Sequence, residues 1–233
     1  EALGQLGEVV PYTQQEFTNA DADGVLAIIA DSAVFTDSFY EAAEKLRIVS
    51  RWGVGFDKVN PEAATANGVL VTVTPVHMDA VAEYTIAQWM ATLKRVYTLN
   101  HLSHQGDFSI IRTFEAQYTT LGLYGCGRIG QEVAKRLLGW DCAILYQDAV
   151  ARPPEVEKEL RASRVPLDKL LMTSDVVTLH VPLTGRTRGM IGEDELDMMK
   201  TTAVLINACR GKVVDEAALV KALQQGKIAG AGL

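Results

Sequence analysis

The run Gly125-Cys126-Gly127-Arg128-Ile129-Gly130 follows an apolar stretch, Leu121-Gly122-Leu123-Tyr124, and opens a helical pattern in which Ile129, Val133 and Leu137 share a face. A G-x-G-x-x-G spacing alone is a weak signal. With a strand before it, a helix after it and an acid further on, it has the full dinucleotide-binding context. The acid is Asp148, 18 residues beyond Gly130 at the end of the next apolar stretch. Gly125 permits a tight turn, Gly127 lets the backbone approach a pyrophosphate, and Gly130 lets helix and strand pack closely, while the helix N-terminus favours phosphate charge. Asp148 would accept from the adenosine ribose hydroxyls and repel a 2'-phosphate, which points to NAD. Arg152, shortly after it, keeps NADP open.

A second glycine turn, Arg51-Trp52-Gly53-Val54-Gly55-Phe56-Asp57, also follows an apolar strand but has no acidic ribose ligand after it. The amides around Val54 and Gly55 could form a nest for a small carboxylate. A tight connection that needs small residues is the other reading. Asn207-Ala208-Cys209-Arg210-Gly211 ends a further apolar strand, where open parallel sheets place their ligands. Arg210 suits bidentate binding of a substrate carboxylate, or a structural ion pair with Asp215 or Glu216. His180-Val181-Pro182-Leu183-Thr184 ends yet another strand. Because the sequence places no carboxylate to orient His180, a cofactor-pocket role suits it better than that of a base. His77, His101 and His104 fall in or near loops, and no Cys, His and Asp cluster has metal-ligand spacing.

Turns of this kind need parallel strands to carry them. The runs Val25 to Ala30, Ile48 to Trp52, Val69 to Val73, Thr119 to Tyr124, Cys142 to Tyr146, Val176 to Val181 and Ala203 to Ala208 lack polar alternation, which predicts strands buried on both faces. Helical patterns lie between them. One covers Asp57 to Asn67, with Asn60 as cap and Pro61 at the first position; others cover Arg128 to Leu138 and Asp215 to Gln225, the last stopped by Gly226. The alternation predicts an α/β, doubly wound architecture. The longest pattern, Asp79 to about Arg95, carries Ala82, Ile86, Trp89, Met90 and Leu93 on a face wide enough to suggest a dimer surface through Trp89 and Met90. Thr74-Pro75 precedes it, which puts a boundary between domains 1–75 and 76–233. His101 to Gln117 is the least periodic stretch and reads as loop or short helix.

With 233 residues, 48% hydrophobic and 22% charged, the chain can bury one large core or two modest ones, which excludes disorder as its main state. A net charge of -7 gives no reason to bind nucleic acid or an acidic membrane surface. Cys126, Cys142 and Cys209 make an odd count without C-x-x-C spacing, which suits a reducing cytoplasm. No apolar run approaches the roughly 18 residues of a membrane span. Glu1 to Leu6 reads as helix already under way and Ile228 to Leu233 as a strand being entered, so the sequence is expected to be the interior of a longer protein.

In chain order, Arg51 to Asp57, Thr74-Pro75 with Ala80-Val81-Ala82-Glu83, Gly125 to Gly130, His180 to Thr184, and Asn207 to Gly211 followed by Val213-Val214-Asp215-Glu216 resemble the D-isomer-specific 2-hydroxyacid dehydrogenase family. The resemblance is good from Ile48 to Leu233 and only a compatible pattern before that. It implies a smaller flavodoxin-like substrate domain, a Rossmann domain that binds NAD(H), an active site in the cleft between them, and a homodimer packed through the Rossmann domain. The implied reaction interconverts a D-2-hydroxy acid and its 2-oxo acid by hydride transfer. Carried over by motif, Val54 and Gly55 supply carboxylate-binding amides and Arg210 is the catalytic, substrate-binding arginine. His180, Pro182, Thr187, Ala208 and Cys209 join the glycine loop and Asp148 on the cofactor side. The family's general acid/base histidine and its glutamate lie beyond the final Gly-Ala-Gly-Leu, and its chains begin with a strand ahead of the first helix, so truncation at both ends is expected. Gly106 to Thr120 is shorter than the family pattern. An NAD(H)-sensing, corepressor-like binding protein of the same fold is the rival reading, and a Rossmann enzyme of another chemistry is disfavoured by the Arg51 to Asp57 and Asn207 to Gly211 motifs.

Overall fold

The computed structural model describes residues 3–5 and 7–233. The helix expected over Glu1 to Leu6 lies partly outside the described residues, and Leu3–Gln5 forms a single 3-10 turn. Contacts divide the chain into Glu1–Val76 and His77–Leu233.

The first unit contains β1 (Glu16–Phe17), β2 (Ala27–Ala30), β3 (Val34–Phe35), α1 (Asp37–Ala42), β4 (Ile48–Arg51), α2 (Pro61–Ala66) and β5 (Leu70–Val73). A parallel sheet runs in the order β2-β4-β5, and β1 pairs with β3. Asn60 caps α2 by accepting from the Ala63 amide at 3.1 Å, with Pro61 in the first turn. The core is aromatic: Phe17 stacks on Phe35 at 4.8 Å, and Phe39 and Tyr40 close over Val49 and Ala64. Burial on both faces is not realised here. In β2 the residues alternate between exposed and buried, and Ile29 and Leu70 remain 57% and 60% exposed. The core of this unit lies against the face that carries Ile28, Ala30 and Val49, so the opposite face keeps its apolar residues in the open.

The second unit contains α3 (Met78–Leu93), α4 (Val96–His104), β6 (Thr120–Tyr124), α5 (Arg128–Arg136), β7 (Ala143–Gln147), α6 (Pro154–Leu160), β8 (Ala162–Arg164), α7 (Leu167–Thr173), β9 (Val176–Leu179), α8 (Glu193–Met198), β10 (Val204–Asn207), α9 (Glu216–Gln224) and β11 (Gly230–Gly232). Its sheet runs β11-β10-β9-β6-β7-β8 with every pairing parallel. Strand order reverses between β6 and β9, which is the topological switch point of a Rossmann fold. Every residue of β9 and β10 is buried, because a separate apolar cluster covers each face of the sheet. Among the described residues, no helix is long and apolar enough to cross a membrane.

The long helix ends within two residues of the expected Arg95, and one expectation about it needs correction. Arg95 itself takes a left-handed conformation, φ 50°, and α4 starts at the next residue, so the stretch from His101, read as loop or short helix, begins helical. Trp89 is not a surface anchor. It is 1% exposed and packs against Trp140 with ring centroids 5.6 Å apart, as part of the domain core, while Met90 is half-buried.

Candidate active site

Register brings four turns to one sheet edge. Tyr124 lies opposite both Gln147 and Leu179, and Leu179 lies opposite Asn207, so the segments that follow β6, β7, β9 and β10 emerge side by side. In the first of them each glycine has a distinct physical role. Gly125 has φ +98°, and a Cβ there would stand 2.5 Å from the His180 carbonyl oxygen. A Cβ on Gly130 would run into the carbonyl oxygen of Gly125. These two positions have no room for a side chain because backbone meets backbone. Gly127 differs, since a Cβ there would meet nothing within 4 Å. It is also the N-cap of α5 and offers no side chain to the first-turn amides of Arg128, Ile129 and Gly130. Open space above a glycine, next to an uncapped helix start, fits a pyrophosphate.

Asp148 is stitched to this loop. Its Oδ2 accepts from the Cys126 amide at 2.8 Å and its Oδ1 from the Val150 amide at 2.9 Å. The Arg152 guanidinium lies 3.5 Å from Oδ1, and both side chains are about one-fifth exposed, at 20% and 18%. Beneath them, the Tyr146 hydroxyl donates to Glu157 at 2.6 Å and accepts from the Arg152 amide at 2.9 Å. The Cys126 thiol is buried, and desolvation pushes it up to about 11, so it is inert at neutral pH.

His180 lies under the glycine loop. Its amide donates to the Tyr124 carbonyl at 2.8 Å, its Nε2 lies 3.1 Å from the Thr178 hydroxyl, and its buried Nδ1 has no partner among the described residues. Burial pushes the imidazole down from 6.5 to about 4, so it is neutral at pH 7. The unfolded chain therefore binds more protons between those values. Stability is fully present above pH 6.5 and falls by on the order of 3 kcal/mol as pH drops toward 4. Urea titrations across that range should show the loss in the native chain and not in a His180→Gln variant. A pH-independent midpoint would refute it.

Thr187 closes the neighbouring turn by donating to the Pro182 carbonyl at 2.6 Å. After β10, Asn207 accepts from the Cys209 amide at 3.1 Å and donates to the Arg210 carbonyl at 2.9 Å, folding Ala208 and Cys209 into a tight bend. Arg210 is half-buried, and its Nη1 donates to the Cys209 carbonyl at 2.8 Å. Asp215 caps α9 by accepting from Ala217 and Ala218.

In the first unit, Gly53 takes φ +120° to turn the chain out of β4. The 11%-exposed Arg51 side chain gathers the carbonyls: Nε donates to Gly55 at 2.8 Å and Nη1 to Ala30 at 2.9 Å. Among the turn and loop bonds of the described residues, the amides of Val54 and Gly55 donate to no backbone carbonyl. Arg51 and Asn207 are the residues that sequence reasoning left without a role. Each organises a turn that it had already singled out.

Comparison with known proteins agrees with this geometry. Residues 86–233 match the family model described as D-isomer specific 2-hydroxyacid dehydrogenase, NAD binding domain. The chain belongs to this family. The glyoxylate reductase of Korarchaeum cryptofilum is 43% identical to this family member over 220 residues, covering 91% of this chain and 65% of the relative. That of Thermococcus kodakarensis is 42% identical and is spanned over 66% of its length. Among solved structures, a glyoxylate reductase from Paecilomyes thermophila superposes with a TM-score of 0.89 at 30% identity, covering all of this chain and 75% of that one. A D-lactate dehydrogenase from Aquifex aeolicus, complexed with NAD and lactic acid, gives 0.86 at 34% identity, covering 92% and 66%. The match covers most of the second unit, which is an NAD-binding domain of this family.

Proposed function

We propose that the protein interconverts a small 2-oxo acid and its D-2-hydroxy acid with NAD(H), glyoxylate being the first substrate to test because the two relatives named above, 43% and 42% identical, are glyoxylate reductases. The observation that carries this reading is the hydrogen bond from Cys126 N–H to Asp148, which joins pyrophosphate loop and ribose acceptor into one nucleotide site at the switch point. Bound NADH would supply the hydride. The uncapped amides of Arg128 and Ile129 hold phosphate, and Asp148 takes the ribose hydroxyls. Arg210 takes a substrate carboxylate or carbonyl oxygen, and the amides of Val54 and Gly55 are further donors for the acid. His180, enclosed and neutral, supports the loop and is no proton shuttle.

The whole protein should oxidise NADH in the presence of glyoxylate or pyruvate, with NADH preferred over NADPH by about tenfold or more because a 2'-phosphate would face the Asp148 carboxylate. A panel of 2-oxo acids read by nicotinamide absorbance tests both parts. No turnover with any of them defeats the activity, and equal use of NADPH defeats the role of Asp148. A homodimer belongs to the same reading. Trp89 no longer argues for it, but Tyr97, Phe108, Ile110 and Tyr118 are exposed in the second unit. Light scattering that gives a monomer at micromolar concentration removes it.

A further inference from the structure

We propose that Gln131 is a positioning residue of the nucleotide site: it orients two successive peptide planes of the glycine loop so that the amides of Gly127 and Arg128 face the phosphates. The proposal rests on the nucleotide reading above and adds a residue that lies outside the glycine motif. Its basis is a pair of bonds that leave one residue. One turn into α5, the Gln131 amide donates to the Gly127 carbonyl at 3.0 Å, as a helical residue does to the fourth before it. The half-buried side chain, which a helix directs back toward its own N-terminus, reaches one residue further. Its Nε2 donates to the Cys126 carbonyl at 3.1 Å. The helix ladder makes no use of that oxygen, because Cys126 precedes the N-cap Gly127.

In a trans peptide the carbonyl and the amide of the next residue point in opposite directions, and both of these peptides are trans. Holding the Cys126 oxygen back toward α5 therefore aims the Gly127 N–H away from the helix start. Holding the Gly127 oxygen aims the Arg128 N–H the same way. Neither amide donates to a backbone carbonyl among the turn and loop bonds of the described residues. The chain ahead of this point is tied to β7, since the Gly125 amide donates to the Gln147 carbonyl at 2.8 Å and the Cys126 amide to Asp148 at 2.8 Å. The next peptide, from Cys126 to Gly127, has open space above it where a Gly127 Cβ would stand. Without the Gln131 bond it is free to rotate, and a carbonyl oxygen turned outward there would repel a pyrophosphate. The glutamine amide carries no net charge, so its contribution is orientation and not attraction.

The test compares ADP with adenosine, which lacks the phosphates, by magnetic resonance titration of the whole native protein and of Gln131→Met, which keeps the side-chain length and loses the donor. The variant should bind ADP and NADH about fivefold more weakly, the worth of one neutral hydrogen bond, and adenosine within about twofold of native. Raising the salt should leave the variant's loss unchanged, because no charge has been removed. The Gly127 amide proton should move downfield when ADP binds the native protein and by much less in the variant. A purely structural role would move ADP and adenosine affinities together. Native ADP affinity in Gln131→Met, equal losses for the two ligands, or a Gly127 amide that shifts as far in the variant as in the native protein would each overturn the proposal. If Gln131→Met does not fold, Gln131→Asn makes the same comparison, because its amide is one methylene short of the Cys126 carbonyl. Failure of both to fold also overturns it, since the bond would then serve folding. If the native protein itself binds neither NADH nor ADP, the nucleotide site has failed and not merely the role of Gln131.

Discussion

Replacing Arg210 by alanine in the whole protein is expected to lower kcat/KM for the 2-oxo acid by about a hundredfold or more, with NADH affinity changed only a few fold. β10 is buried along its whole length, so its carboxyl end delivers Arg210 to the ligand-binding edge of the sheet. The bend that follows is fixed by Asn207, which holds both the Cys209 amide and the Arg210 carbonyl. A guanidinium on so constrained a backbone loses little freedom when it meets a carboxylate, and a half-buried charge-assisted pair is worth several times a solvent-exposed one. The proposed dinucleotide site uses other residues, so the loss should appear in substrate terms. Lysine should recover only part of it, since an ammonium cannot reproduce the planar fork. Steady-state kinetics of the alanine and lysine variants, with a parallel NADH titration, decide the matter. Full activity in the alanine variant would mean that the carboxylate site is elsewhere.

A pair of alanine substitutions should separate folding from binding inside the glycine loop. Gly130→Ala drives a methyl into the Gly125 carbonyl, and neither backbone can yield without moving α5 off β6. A loss on the order of 2 to 4 kcal/mol of stability is expected, together with NADH affinity. Gly127→Ala meets no protein atom within 4 Å, and its φ of -73° suits alanine. Its stability should stay within about half a kcal/mol of native or rise slightly, while NADH affinity falls about tenfold or more because the methyl stands where a pyrophosphate would lie. Urea unfolding and calorimetry on the two variants give the comparison. Equal destabilisation of both, or native NADH binding by Gly127→Ala, would contradict this division of roles.

The centre of the second unit was legible from the sequence because β6, β9 and β10 are short apolar runs buried almost throughout, and each ends in a turn with its own chemical signature. Asn60, Pro61, Asp215 and Gly226 marked helix ends through local rules that hold whatever surrounds them. What was misread depended on tertiary surroundings. Trp89 looked surplus to a core until Trp140, 51 residues away in sequence, arrived to cover it. Ile29 and Leu70 looked buried because an apolar run does not say whether one face or two will be covered. The pattern stopped near Arg95, where α3 ends, but the left-handed turn there and the start of α4 at Val96 have no sequence signal, since arginine seldom adopts a left-handed conformation. Arg51 and Arg164 act through backbone carbonyls distant in sequence, Ala30 in β2 and Asp148 just after β7, which no local pattern encodes.

The bond between the Cys126 amide and Asp148 also bears on how tightly a nucleotide can be held. A glycine-rich segment left to itself samples many conformations and must be ordered at the moment a ligand arrives, which subtracts from affinity. Tied to the end of β7 by this bond and pressed against the His180 carbonyl at Gly125, the loop is ordered when the chain folds. The entropy of shaping the phosphate cradle is thus charged to folding and not to binding. Any change at Asp148 alters the disorder of the empty loop as well as the charge beside the ribose.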